Sequence, residues 1–148
     1  MLIKLFTDGG ARGNPGPAGV GAVITDMNGK VITAKKKFLG VATNNQAEYQ
    51  ALLLGLETAK KIGAKEVACY LDSELTVKQM RREYKVKNPE LAKLFVKVWN
   101  LLPDFDKVTF HHVMREKNVL ADQLANEAMD EGTTRQIPTK QKSELPII

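Results

Sequence analysis

Cysteine is close to absent: Cys69 is the one thiol in 148 residues. No internal disulfide framework can form, which suits a reducing, cytoplasmic setting. Within VACYL the residue reads as a small buried apolar side chain. No apolar run is long enough to cross a bilayer, and no charged-then-apolar pattern opens the chain, so neither a membrane nor export is expected. Internal repeats and a second domain are missing as well. The length is one domain's worth, enough for a sizeable core, and a monomer is expected. An acidic excess is also missing: Lys and Arg outnumber Asp and Glu by 22 to 17, for a formal net charge of +5. That balance favours polyanionic partners. What remains is ordinary for a soluble globular domain, with 43% hydrophobic and 26% charged residues.

Turn and cap signals divide the chain. Leu2 to Thr7 is a short β-like run that ends in a lone acid, Asp8, followed by a Gly- and Pro-rich stretch, GGARGNPGPAG. GVGAVITD leads into Met27-Asn28-Gly29-Lys30, where Asn-Gly is a hairpin signal, and VITAKKKFLG reads as the returning strand. Thr43-Asn44-Asn45-Gln46 fits a capping box ahead of the helix AEYQALLLGLETAKKI, with Gly63 at its stop. EVACYL is a strand that ends in Asp72, and a short helix follows from Ser73. Asn88-Pro89-Glu90 opens the next helix, whose apolar face carries Leu91, Leu94, Phe95, Val98 and Leu102. VTFHHV is the last strand. The last helix opens at Asn118 and closes at Gly132. The order βββαβααβα predicts an α/β fold whose mixed sheet is antiparallel first and parallel later. Residues 1–132 form this domain. Residues 133–148, polar and Pro-containing, read as a flexible tail, with docking of its apolar end, Leu145 to Ile148, left open.

Four acids stand at the starts or ends of separate elements. Asp8 and Asp72 end strands, where ligands gather in α/β sheets. Glu48 lies on the inward face of the first long helix with Leu52, Gly55 and Ala59, an odd place for a carboxylate. Asp122 lies early on the last helix. Singly, each has a structural reading as a turn or cap residue or as a charge favoured by a helix dipole. Together they would raise one another's pKa values unless a cation neutralised them. Oxygen-only ligands suit Mg²⁺ or Mn²⁺. Two such ions roughly 4 Å apart would clamp an in-line displacement at phosphorus. Bound metal would thereby reconcile the acid at the Gly-rich stretch with an approaching phosphate.

TDGGARGNPGPAG, TNNQAEYQALLLGL, LDSELTVKQM and REKNVLADQLANEAM, in that order and spacing, resemble type 1 ribonuclease H from about Leu2 to Gly132. The resemblance implies the ribonuclease H-like fold, a five-stranded mixed sheet flanked by helices. It implies an endonuclease that hydrolyses the RNA strand of RNA–DNA hybrids with two divalent ions when substrate is bound, leaving 3′-hydroxyl and 5′-phosphate ends. Mg²⁺ is the expected cofactor, with Mn²⁺ able to substitute. By resemblance, Asp8, Glu48, Asp72 and Asp122 are the metal-binding carboxylates. Asn14, Asn44 and Asn45 resemble the family's minor-groove readers, since amides suit 2′-hydroxyls in an A-like groove. Thr43 and Asn88 resemble the pocket that grips a phosphate of the DNA strand. They also make good N-caps, and the two roles are compatible. Ser73 resembles a small polar residue that contacts substrate.

The chain departs from many relatives in two places. The long basic, Trp-rich protrusion is missing: Met80 to Asn88 is short, and the single Trp, Trp99, lies on the following helix. Arg81, Arg82, Lys85 and Lys87 either supply part of that electrostatic grip or form a solvated basic face. In place of a loop His before Asp122 the chain offers Met114-Arg115-Glu116-Lys117. Arg115 matches the Arg of some compact members, and its role would be electrostatic, because Arg is no general base near neutral pH. His111 and His112 fall within the last strand and read as structural. Two other functions stay open at this level: a catalytically silent hybrid-binding module, and another nuclease or an integrase on the same sheet.

Overall fold

The computed structural model describes residues 1–135. Three strands come first, β1 (Leu2–Ala11), β2 (Gly16–Thr25) and β3 (Val31–Ala42), followed by helix α1 (Asn44–Lys61). Next come β4 (Glu66–Leu71), α2 (Glu74–Met80), α3 (Pro89–Leu101), β5 (Lys107–His112) and α4 (Val119–Arg135). The predicted element order holds. The five strands form one sheet in the order β3-β2-β1-β4-β5. The β1–β2 and β2–β3 pairs are antiparallel, and β1–β4 and β4–β5 are parallel.

Local chemistry sets the boundaries. At the β2–β3 turn, Asp26 Oδ1 accepts from the N–H groups of Asn28 and Lys30, while Gly29 takes φ 87°. The Thr43 capping box is complete: Thr43 Oγ1 accepts the Gln46 N–H at 3.1 Å, and Gln46 Oε1 accepts the Thr43 N–H at 2.9 Å. Asn88 Oδ1 accepts from the N–H groups of Glu90 and Leu91, and Pro89 follows at the first helical position, where its missing donor costs nothing.

The core lies between the sheet and α1. Alternate residues of β1, Ile3 and Leu5, meet Leu52 and Leu56 of α1 and Val67, Cys69 and Leu71 of β4, with α3 closing the side through Leu91, Leu94 and Val98. Leu5, Leu52 and Leu56 are fully buried, and each such side chain contributes about 1.5–3 kcal/mol relative to exposure. Helix α4 covers the other face over β2. The sheet edges are blunted differently: β3 carries Lys35, Lys36 and Lys37, and the β5 backbone is occupied by Arg81, whose Nε donates to the Phe110 carbonyl at 2.7 Å.

Two expectations need correction. Strand β1 does not end at Thr7–Asp8. It stays paired with β2 as far as Ala11 opposite Ala18, so Asp8, Gly9 and Gly10 are strand residues and the connection is confined to residues 12–15. Nor does Gly132 close the last helix, which continues to Arg135. Gly132 is there because the Phe38 ring is: a Cβ at that position would lie 2.1 Å from it. The proposed boundary at residue 132 therefore falls inside α4. The rest of the expected tail, including Leu145 to Ile148, lies outside the described residues.

Candidate active site

Register and close packing deliver the acids to one place. Thr7 pairs with Leu71 as the last pair of the parallel β1–β4 ladder, so the next residues, Asp8 and Asp72, emerge side by side where that ladder ends. Gly9 lets α1 rest on β1, since a Cβ there would sit 2.2 Å from the Ala47 carbonyl oxygen. That approach brings Glu48, the next residue of α1, over the strand, where Oε1 accepts the Gly9 N–H at 3.4 Å. Gly21, the partner of Asp8 on β2, does the same for α4: a Cβ there would lie 2.3 Å from the Ala121 carbonyl oxygen, and Asp122 follows directly. Gly9, read as part of a loop, and Gly21, read as part of a strand, are thus contact points for helix backbones.

Carboxylate oxygens of Asp8, Glu48 and Asp72 lie within 4.8 Å of one another. The Asp122 carboxyl is near enough to Asp8 to raise its pKa but stands outside that tight group. Asp8 and Glu48 are buried, at 6% and 7% exposure. Burial, then the charges of Asp72 and Asp122, push Asp8 from 3.8 up to about 8. Burial, then Asp8 and Asp72, hold Glu48 well above the usual carboxylate range. Asp72 is raised by burial and lowered in part by Arg115. Glu48 Oε2 and Asp72 Oδ2 are buried with no hydrogen-bond partner. Unpartnered buried acceptors are costly, and three convergent oxygen donors are what a hard divalent cation takes. The residues present fit such an ion.

The acids line a groove of about 560 Å³. Asn44, Asn45, Ser73 and Arg115 line it too, as the sequence led one to expect. Arg115 begins a 3-10 turn at Arg115–Lys117, and its Nε stands 4.0 Å from Asp72 Oδ2 with the side chain 80% exposed. Asn14 acts through Asn44: its Oδ1 accepts the Asn44 N–H at 3.1 Å, and Asn44 Oδ1 accepts the Ala11 N–H at 2.8 Å. Both amide oxygens are spent on tying the connection to α1, which leaves the NH₂ groups for a ligand. Thr43 and Asn88 are placed apart, at the starts of α1 and α3, where their oxygens cap the helices. His111 stacks on Tyr70 at 5.0 Å between ring centroids and bonds Thr109 at 2.8 Å, while His112 ends β5.

Four residues of the site were not found by reading the sequence for function. Arg12, Asn126 and Met129 line the groove. Asn126 is one helical turn beyond Asp122, and that spacing is a usable signal. Arg12 carries no such signal until the crossing of α4 is known. Asn118, expected only as a helix opener, is 2% exposed; its Nδ2 donates to the Thr7 carbonyl at 2.8 Å, and its side chain reaches Asp72. It locks the Arg115 turn and the start of α4 onto β1.

Fold and site together define a carboxylate-lined groove on a mixed α/β sheet whose oxygen donors could hold a divalent cation. A family profile described as reverse transcriptase-like matches residues 6–128. The bifunctional protein Rv2228c of Mycobacterium tuberculosis is 47% identical over 131 residues, covering 88% of this chain and 36% of that protein. The ribonuclease H of Chromohalobacter salexigens is 35% identical over 149 residues, covering 87% of this chain and 85% of the relative. Among solved structures, LC11-RNase H1 in complex with an RNA/DNA hybrid superposes with a TM-score of 0.85 at 46% identity, covering 88% of this chain and 99% of that one. The chain belongs to the ribonuclease H family. It spans about a third of the length of the mycobacterial relatives it matches, 36% of each.

Proposed function

We propose that the protein is a type 1 ribonuclease H, an endonuclease that hydrolyses the RNA strand of RNA–DNA hybrids and leaves 3′-hydroxyl and 5′-phosphate ends. The observation that carries this reading is the convergence of Asp8, Glu48 and Asp72 oxygens within 4.8 Å, two of them buried and unpartnered, in a groove also lined by Asn44 and Asn45. Divalent ions held by Asp8, Glu48, Asp72 and Asp122, Mg²⁺ or Mn²⁺ in its place, would supply the Lewis acidity that activates water and stabilises the departing 3′ oxygen.

The chain's own residues do the rest. Burial under α1 fixes Glu48 and Asp8 in place, so their carboxylates need no reorganisation on binding. The NH₂ groups of Asn14, Asn44 and Asn45 donate to 2′-hydroxyls and favour RNA in one strand. Ser73 contacts substrate beside Asp72. Thr43 and Asn88, at the starts of α1 and α3, offer the Thr43 hydroxyl and the Asn88 NH₂ group to a DNA-strand phosphate. Arg115, in the position where many relatives place a His, swings its exposed guanidinium from Asp72 towards charge on the reacting phosphate or leaving product. The free thiol of Cys69 supports a reducing, cytoplasmic setting. No helix of the described residues is long and apolar enough to cross a membrane, and the protein is read as a monomer.

Incubation with labelled hybrid, double-stranded DNA and double-stranded RNA, each with and without Mg²⁺, tests the reading. Mg²⁺-dependent cutting of the hybrid's RNA strand is expected, and binding without cutting would make the chain a silent hybrid-binding module. Efficient incision at a lone ribonucleotide in duplex DNA would overturn the type 1 assignment.

A further inference from the structure

The groove carries a second guanidinium, at Arg12, one residue past β1. Its Nη1 is paired with the Asp130 carboxylate and its Nη2 donates to the Asn126 carbonyl at 3.4 Å, both on α4. The backbone beneath it is tied down. The Arg12 N–H donates to the Pro17 carbonyl at 2.8 Å, and the preceding N–H of Ala11 donates to Asn44 Oδ1 at 2.8 Å. Gly16 closes the connection tightly, since a Cβ there would sit 2.1 Å from the Arg12 carbonyl oxygen. The guanidinium is therefore oriented before any ligand arrives. Yet the side chain is 45% exposed and that of Asp130 65%, so the pair is solvated and contributes little to stability. A fixed cation on the wall of an acid-lined groove is better accounted for by what it offers the groove's occupant.

We infer that Arg12 is a binding residue for the RNA strand, contacting a phosphate that neighbours the one cleaved, with Asp130 as the residue that orients it. The inference rests on the hybrid-cleavage reading above. A guanidinium has five donors and no acceptor, in a planar fork that matches two phosphate oxygens. It is suited to a phosphate rather than to a hydroxyl, which Asn44 and Asn45 serve better. The RNA strand is the partner because Arg12 lines the groove that holds the acids, which neither Thr43 nor Asn88 lines. The contact carries no base information, so it sets affinity and register without sequence preference.

The test pairs protein variants with substrates that each carry one uncharged methylphosphonate linkage, moved stepwise along the RNA strand. Arg12→Ala should raise KM about tenfold with kcat nearly unchanged, the loss expected of one charge-assisted hydrogen-bonded contact. The slope of log affinity against log salt should fall by about 1. At one linkage next to the cut, the neutral substitution should weaken wild-type binding and leave Arg12→Ala indifferent. Arg12→Gln, which keeps hydrogen-bonding capacity without charge, should show the same lowered salt slope and guards against a folding defect in the alanine variant. Asp130→Asn should keep the full salt slope and lose part of the affinity. If Arg12 merely ties the connection to α4, Arg12→Ala and Asp130→Asn will lower Tm alike, the salt slope will not move, and no linkage will couple to residue 12; that outcome overturns the inference. Failure of the wild-type protein to cut unmodified hybrid overturns both readings, whereas hybrid cleavage without coupling overturns this one alone.

Discussion

Glu48 and Tyr49 are neighbours on α1, both buried, and their surroundings could hardly differ more. Tyr49 is 0% exposed, and its hydroxyl donates to Gln79 Oε1 at 2.6 Å, so this polar atom of α1 is paired on α2. Glu48 is 7% exposed, holds one long bond to the Gly9 N–H, and has Oε2 unpartnered with two more carboxylates within reach. One turn of one helix thus carries a satisfied polar contact and an unsatisfied one. The first holds elements together. The second stores repulsion and desolvation cost that a bound cation would relieve, which points to function where stability is sacrificed.

Substitution breaks this contrast most directly. Asp8→Asn, Glu48→Gln and Asp72→Asn should each reduce hybrid cleavage to background at saturating Mg²⁺, while Tm without metal holds or rises because like-charge repulsion is relieved. Asp122→Asn should be milder, since Asp122 stands outside the tight group. Gln79→Ala should do the opposite. It strands the Tyr49 hydroxyl, should cost about 1–3 kcal/mol in denaturant melts, and should leave turnover per folded molecule near wild type. Full activity in any of the first three would sink the assignment of the centre.

Arg115 sharpens the contrast from the solvent side. It is the exposed member of a loose pair with Asp72, so it adds little to the fold and is free to serve chemistry. Arg115→Ala should lower kcat roughly 10²-fold, as for loss of one preorganised donor, with a smaller change in KM. Arg115→Lys should recover part of the rate. His112→Ala should act on stability rather than rate. A reversal, with the His variant losing turnover at equal folding, would mean that His112 holds the role given to Arg115.

A smaller effect follows from acidity. Asp8 is raised from 3.8 to about 8, chiefly by burial. A carboxyl raised in the folded state gives stability that is full below its unfolded pKa and is lost as pH climbs to the folded one. In chelator, Tm should therefore fall between about pH 4 and pH 8, with Glu48 adding in the same direction. Mg²⁺ should flatten the decline, and its stabilising effect should grow with pH. Asp8→Asn should flatten the decline without metal. A Tm that rises across that range in chelator, with the Asn variant unchanged, would contradict the buried-repulsion account.

Much of this could be read from the chain, for physical reasons that differ by feature. Caps are local: Thr43 and Asn88 sit where their side chains bond backbone within three residues and formed as read, and Ser73, read only as the start of a helix, caps α2 in the same way. Glu48 was legible as an acid on an apolar face. Long-range contacts were less so. GlyGly after Asp8 looks like a loop until the backbone of α1 is known to rest on Gly9, and Gly132 looks like a stop until the Phe38 ring is found against it. Arg12 and Asn118 depend on which strand α4 crosses, and no periodicity within either segment encodes that. The family resemblance supplied the pairing of Thr43 with Asn88, which their local role as caps would have hidden.

Those two caps give the smallest and most discriminating test. Each side-chain oxygen is already used: Thr43 Oγ1 on Gln46, and Asn88 Oδ1 on Glu90 and Leu91. What remains for substrate is the Thr43 hydroxyl proton and the Asn88 NH₂ group, because the caps and Asn14 already occupy the N–H groups of Asn44, Gln46, Glu90 and Leu91. Thr43→Ala and Asn88→Ala should each cost about 1 kcal/mol of stability through the lost cap. Thr43→Ser and Asn88→Asp restore capping and separate the two roles. Serine keeps both the cap and a donor, so affinity for hybrid should return with stability. Aspartate caps well and suits the helix dipole, yet it removes the NH₂ donor and adds a negative charge where a phosphate is meant to bind. Asn88→Asp should therefore melt near wild type and bind hybrid more weakly than Asn88→Ala, the gap narrowing as salt is raised. Binding that simply tracks melting temperature across the four variants would reduce Thr43 and Asn88 to caps and leave the grip on the DNA strand to other residues.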